Sequence, residues 1–349
     1  MDVPSIAVTG AAGLVGGRLL PLLLDDATVE RVVALDVREP DASASKLTFQ
    51  RVDIAGTDLR PVLAGIDVVV HLAGVVDPIA DEALMARVNV DGTRQMLAAA
   101  AEAGVRKVVR VSSATVYGAW AGNPVPLAES APLRPNPEFS PAVQGAEVER
   151  MLAGWQRQHP GVVVTTLRAA PVVGPGAERL PGRVLLGRPP LRVRGAALPV
   201  QVVHVDDLAR ALALVATADL PGVFNVAADG WLAPDDARTV LPRVRVPAFP
   251  QDALERALRR TWDLGVGDVP PGVVPYLVHP WVVANDKLRA AGWAPRHSNA
   301  DAISEAVGSL PPRHAARTAV VLGAAALAVG ALAITGARRR KRTGVRSAG

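Results

Sequence analysis

The chain has 349 residues, half of them hydrophobic and a fifth charged, which supplies a sizeable core and excludes a collagen-like or coiled-coil polymer. It contains no cysteine, which removes disulfides, thiolate nucleophiles, iron–sulfur clusters and cysteine-ligated zinc. The formal charge of +5 sits at the C-terminus, where Arg338, Arg339, Arg340, Lys341, Arg342 and Arg346 supply +6; the remainder lacks the clustered cations that a nucleic-acid surface needs.

Residues 1–5 carry no basic n-region, so no cleavable signal peptide is expected, and the chain runs directly into an apolar strand pattern at 6–8. Further buried strands are expected at 31–35, 67–72 and 107–111, alternating with helices at 14–24, 82–87 and 92–103. Apolar strands separated by helices predict an α/β fold, a doubly wound parallel sheet covered on both faces. Residues 119–141 are rich in proline and read as a loop beside whatever the carboxyl edge of the sheet binds. A helix at 142–155 and a strand at 162–167 follow. After Gly174-Pro175-Gly176 the elements become shorter, as in a smaller C-terminal lobe lying mainly within 174–308.

Residues 309–317 read as a linker, and 318–337 as twenty uncharged residues that would span about 30 Å as a helix, the thickness of a bilayer core. Bounded by Arg317 and the basic tail 338–349, this stretch is expected to be a transmembrane helix and to bring membrane lipid in as a partner; a buried alanine-rich helix is the alternative. A single C-terminal span with the globular part in the cytoplasm sends the basic tail outward, against the positive-inside tendency, so an interfacial helix on anionic lipid is also open.

The segment Thr9-Gly10-Ala11-Ala12-Gly13-Leu14-Val15-Gly16 leaves the first strand and opens the first helix. Glycines 10, 13 and 16 allow a tight turn, close approach of the backbone to a pyrophosphate and close helix–strand packing, with the helix N-terminus facing the phosphates. Asp36 closes the second strand, where a carboxylate accepts hydrogen bonds from ribose hydroxyls and repels a 2′-phosphate; its alternative is a solvated turn residue. NAD is therefore the expected cofactor, and Arg38 keeps NADP open.

With these motifs in view, the chain resembles the extended short-chain dehydrogenase/reductase family of the NAD-dependent epimerase/dehydratase type, over roughly residues 4–308. The resemblance makes Asp53-Ile54 an adenine-contacting pair, places Leu72, Ala73 and Gly74 beside the cofactor, and gives Asn89 a structural role. Within Val111-Ser112-Ser113-Ala114-Thr115-Val116-Tyr117-Gly118 it makes Ser113 the catalytic hydroxyl; a strand-end hydrogen-bonding role is the alternative. It also implies a dimer built on the helices 92–103 and 142–155, here left open.

The family's Tyr-x-x-x-Lys acid–base pair is missing. The ending Ala146-Glu147-Val148-Glu149-Arg150 sets the register and places Pro141 at the tyrosine position and Gly145 at the lysine position. Only Tyr117 and Tyr276 occur in the chain, and Ala121 and Pro280 stand four residues after them, so no such pair exists in any register. Glu138 and Gln144 are near the lost pair and read as loop and helix residues. The histidines are scattered without metal-ligand spacing, so no metal is expected, His204 being assigned to a structural Val-His-Val-Asp-Asp motif. The favoured reading is a membrane-associated NAD(P)-binding sensor, scaffold or assembly factor without the usual catalysis. The alternatives are an active oxidoreductase or epimerase on a nucleotide sugar, sterol or lipid-like substrate with an atypical proton donor, and a cofactor-free interaction module.

Overall fold

The computed structural model describes residues 3–177, 180, 184, 191–241 and 248–309. Strand β1 (Ser5–Thr9) is buried along its whole length because it lies at the centre of the sheet, flanked by β2 (Arg31–Asp36) and β4 (Val68–His71). With β3 (Leu47–Arg51), β5 (Lys107–Ser113), β6 (Val163–Ala169) and β9 (Gly222–Val226) it forms a seven-stranded sheet of order β3-β2-β1-β4-β5-β6-β9, parallel at every pairing. The order reverses between β1 and β4, which opens a crevice at the carboxyl ends of those strands, the place where such sheets bind ligands.

Both faces are covered, as the continuous apolar strands require. Leu19, Leu20 and Leu23 of α1 (Leu14–Asp25) pack on one face with Leu208, Leu212 and Val215 of α5 (Val205–Thr217). Met96 and Leu97 of α3 (Gly92–Glu102) pack on the other with Val148 and Leu152 of α4 (Ser140–Gln158). Short α2 (Glu82–Ala86) runs into α3 through a π-helical turn at Arg87–Asp91, which carries Asn89. Pro141 occupies the first turn of α4, where its missing N–H costs nothing.

Beyond β6 a parallel pair, β7 (Val172–Val173) and β8 (Val203–His204), leads into α5. Helices α6 (Pro234–Val240) and α7 (Gln251–Asp263) and a 3-10 turn at Pro271–Leu277 belong to the lobe, with Leu254, Leu258, Val273 and Val274 in its core. Residues 203–226 return to the main body, because α5 lies on α1 and β9 extends the sheet beside β6. Helix α8 (Asp286–Ala290) packs its buried Leu288 into that same core, and α9 (Asn299–Ser309) ends the described chain. Among the described residues no helix is long and apolar enough to cross a membrane. The expected span at 318–337 and the basic tail 338–349 lie outside the described residues, as does all but Ser309 of the expected linker.

Candidate functional site

The loop between β1 and α1 is built around contacts that only glycine permits. Gly10 has φ +70°, and a Cβ there would lie 2.7 Å from the Ala73 amide nitrogen, while one at Gly16 would lie 2.5 Å from the Gly10 carbonyl oxygen. Gly10 donates to the Leu35 carbonyl at 2.8 Å, and the Ala12 amide donates to Asp36 Oδ2 at 3.0 Å, so the end of β2 shapes the loop. Arg38 lies over it, donating from its side chain to the Ala12 carbonyl and from its backbone to Asp36 Oδ1.

Helix α1 starts at Gly13 with no side-chain cap and no acidic residue in its first turn. The amides of Leu14, Val15 and Gly16 are thus the helix's open donors, at the positive end of its dipole. That donor set fits a diphosphate, and the Asp36 carboxylate beside it fits a ribose; the site suits a dinucleotide on both counts. Ile54 is buried against Gly92, whereas Asp53 is exposed and accepts from the Ala55 amide, free to meet a base from the solvent side.

A buried network links this loop to the next strand. Thr93 gives its hydroxyl proton to the Asn89 carbonyl and so accepts from His71 Nε2, which leaves His71 Nδ1 to accept from Thr9. Thr9 Oγ1 in turn accepts from the Leu72 and Ala73 amides. His71 is the last residue of β4 and is satisfied only when neutral. Burial, with Arg110 adding to it, pushes its pKa down to about 3. A folded value below the unfolded 6.5 means the unfolded chain binds more protons between these limits, so stability present above pH 6.5 is lost as pH falls toward 3. The expected loss from this group is about 2 kcal/mol between about pH 7.5 and pH 5. Urea unfolding followed across that range checks it: His71→Gln shows a shallower slope, and an unchanged slope refutes the assignment.

Asn89 is held by hydrogen bonds on both sides of its amide: Oδ1 accepts from the Val75 amide, and Nδ2 donates to the Val75 carbonyl and to Gln144 Oε1. Gly74 packs beside it, a Cβ there lying 3.1 Å from Asn89 Oδ1. Leu72, Ala73, Gly74, Asn89 and Gln144 are thereby fixed together at the carboxyl ends of β1 and β4. Ser113 ends β5 and accepts from the Thr115 amide at 3.2 Å and its hydroxyl at 2.9 Å, which leaves its own proton available.

The missing acid–base pair is not rebuilt in space among the described residues. Tyr117 is buried, donating to Asn225 Oδ1 and accepting from Arg168, and burial raises its pKa. Tyr276 donates to the Thr115 carbonyl, and burial raises its pKa further. Lys46, Lys107 and Lys287 are bound to backbone carbonyls elsewhere, and Glu138 is tied to Arg259 at the surface. Gly145 lies against Val116, where an added Cβ would come within 3.1 Å of a methyl group. The proline-rich loop, expected beside the sheet edge, walls a cavity of about 320 Å³ lined by Tyr117, Asn123, Ser130 and Arg134 among others.

Residues 6–227 match the NAD dependent epimerase/dehydratase family, and the chain belongs to it. The family is NAD-dependent by its description. The chain is 31% identical over 267 residues to the uncharacterized protein Rv0501 of Mycobacterium tuberculosis, covering 72% of this chain and 71% of the relative. It is 32% identical over 244 residues to a dTDP-glucose 4,6-dehydratase of Streptomyces griseus, covering 63% and 72%. In fold it is similar to the UDP-glucose 4-epimerase of Thermus thermophilus solved with NAD, with a TM-score of 0.65 at 22% identity, over 87% of this chain and 98% of that one.

Proposed function

We propose that this chain is an NAD-dependent enzyme of nucleotide-sugar chemistry, an epimerase- or dehydratase-like oxidoreductase that works without a tyrosine acid. This replaces the scaffold favoured on sequence alone. A dTDP-glucose dehydratase and a UDP-glucose epimerase stand among the chain's relatives, and they support the nucleotide-sugar alternative over a sterol or lipid substrate. The observation that carries the proposal is the uncapped N-terminus of α1 facing the Asp36 side of the glycine loop. The open amides of Leu14, Val15 and Gly16 would hold the diphosphate, with Gly10, Ala12 and Gly13 shaping the loop that lets it approach, Asp36 the adenosine ribose, and Asp53 and Ile54 the adenine. NAD, when bound, supplies the hydride acceptor.

Ser113 would donate a hydrogen bond, keeping its proton, to the reacting sugar oxygen and so orient it. A serine hydroxyl is far too weak an acid to shuttle that proton at neutral pH, so oxidation of a sugar carbinol would send the hydroxyl proton to water or to the substrate's own phosphate. Membrane attachment through 318–337, with the globular part in the cytoplasm, belongs to the same proposal and rests on the sequence of that stretch.

The second reading is a protein that binds NAD without turnover, favoured by the dispersal of Tyr117, Tyr276 and the lysines described above. Nicotinamide absorbance measured with UDP- and dTDP-hexoses separates the two. The enzyme reading expects turnover that falls at least ~10-fold in Ser113→Ala, about 1.4 kcal/mol in the barrier. NADH binding with neither turnover nor nucleotide-sugar binding across that panel gives the second reading instead.

A further inference from the structure

At the start of α4, where the sequence lacks its acid–base pair, one side chain keeps its donors unspent. Ser140 gives its hydroxyl proton to Glu82, the apolar residues that follow carry no side-chain donor, and Gln144 Nε2 has no acceptor among the described residues. We propose that Gln144 holds the nicotinamide half of NAD, its Nε2 donating to an oxygen of the nicotinamide riboside. The inference rests on the NAD-binding reading above and adds a residue to it.

The first argument is orientation. The Val75 amide can only donate, so it takes Asn89 Oδ1, and the Val75 carbonyl can only accept, so it takes Nδ2. Asn89 is thereby locked one way round, and what it shows to Gln144 at 3.0 Å is its second Nδ2 proton. Gln144 must answer with Oε1, which turns both of its own N–H groups away from Asn89.

The second argument is that this donor is buried in residue yet open in atom. Gln144 is 8% exposed, but Nε2 is not sealed from solvent as Arg110 Nη1 is. Ordering a long amide is costly, and one bond to Asn89 uses only its acceptor end. The donor end is held ready for an acceptor that arrives from outside the chain.

The third argument is place. The strand order reverses between β1 and β4, and a dinucleotide lies across a crevice of that kind. With the adenosine ribose at Asp36 on the β2 side and the diphosphate at the N-terminus of α1, the second nucleoside falls on the β4 and β5 side. Gln144 stands there. Asn89 ties it to Val75, just past β4, and its neighbour Gly145 lies against Val116 in the 3-10 turn that follows Ser113. A hydride acceptor has to lie beside the sugar that Ser113 orients, which sets the nicotinamide at the same place.

A neutral amide treats the two redox forms of the cofactor alike, whereas a carboxylate in its position would favour the oxidised ring, which is cationic, over the reduced ring, which is not. That difference gives the test a readout that a purely structural residue would not move. Calorimetry at pH 8 on the full chain compares NADH, NAD and ADP, which ends at the diphosphate and lacks the nicotinamide riboside. Gln144→Met, which loses the donor, is expected to weaken NADH about 10-fold and to leave ADP within about 2-fold. Gln144→Glu keeps an oxygen for Asn89 and so keeps the bracket to Val75. It is expected to shift the affinity ratio of NAD over NADH about 10-fold toward NAD, with ADP again unchanged. Where Gln144→Met fails to fold, the ratio in Gln144→Glu decides alone. Wild type that binds NADH, together with a Gln144→Glu ratio equal to its own, overturns the inference and leaves the NAD-binding reading standing. Wild type that binds neither NADH nor ADP overturns both.

Discussion

Gly13→Asp is expected to weaken NADH binding about 100-fold, or ~2.8 kcal/mol, with no matching loss of stability. Gly13 is the N-cap of α1 and is already extended, at φ −75° and ψ 170°, the conformation an N-cap aspartate adopts. An aspartate there caps the first-turn amides better than glycine does, so the helix keeps its stability. The new Cβ comes 3.0 Å from the Gly10 carbonyl, a contact relieved by a shift of a few tenths of an ångström. The carboxylate then occupies the donors a diphosphate needs and repels it: two unit charges about 4 Å apart cost between ~1 kcal/mol in water and ~4 kcal/mol near a protein surface. Calorimetry on wild type and variant, paired with thermal unfolding, checks both halves. Undiminished NADH binding in a folded variant would place the nucleotide away from this loop and remove the support for the enzymatic proposal.

The parts of the molecule visible in the sequence are those whose physics is local. The strands around β1 are apolar because they are buried on both faces, so 6–8, 31–35, 67–72 and 107–111 register as strands before any pairing is known. The glycine loop is visible because Gly10 and Gly16 answer to backbone atoms only a few residues away or at the end of one neighbouring strand. Strand β9 was not legible: Gly222-Val223-Phe224-Asn225-Val226 is short and polar at Asn225, and its place in the sheet is set by β6, far upstream. The convergence of His204, His297 and Glu305 was not legible either, because β8, the loop held by Asp207, and α9 bring them together from distant parts of the chain. The bonding of Asn89 was not legible, since the π-helical turn that aims it at Val75 and Gln144 has no periodic signature.

Glu149→Leu is expected to destabilise the protein by ~3–5 kcal/mol, the largest stability effect of any single change proposed, lowering the melting temperature by about 4–7 °C. Glu149 of α4 is 6% exposed and takes Arg168 Nε and Nη2 at 2.9 and 2.6 Å, with the Ser112 hydroxyl on its other oxygen at 2.5 Å. Arg168 also donates to the Tyr117 hydroxyl and the Glu129 carbonyl, so this one pair joins α4, β5, β6 and the middle of the proline-rich loop. The arrangement is charge-asymmetric. Arg110 is half-buried on the same strand as Ser112, its buried Nη1 without a partner, and Glu149 is the anion acting on it. Removing Glu149 therefore strands two cations, whereas Arg168→Met leaves the carboxylate with Ser112 and the field of Arg110. Arg168→Met is accordingly expected to cost less than Glu149→Leu, and the double variant less than the sum of the two, since a pair replaced by apolar groups loses its desolvation penalty along with its attraction. Urea unfolding of the four proteins in the cycle measures this directly. Additive effects would mean that Glu149 and Arg168 do not couple, and a costlier Arg168→Met would mean that Arg110 draws nothing from Glu149.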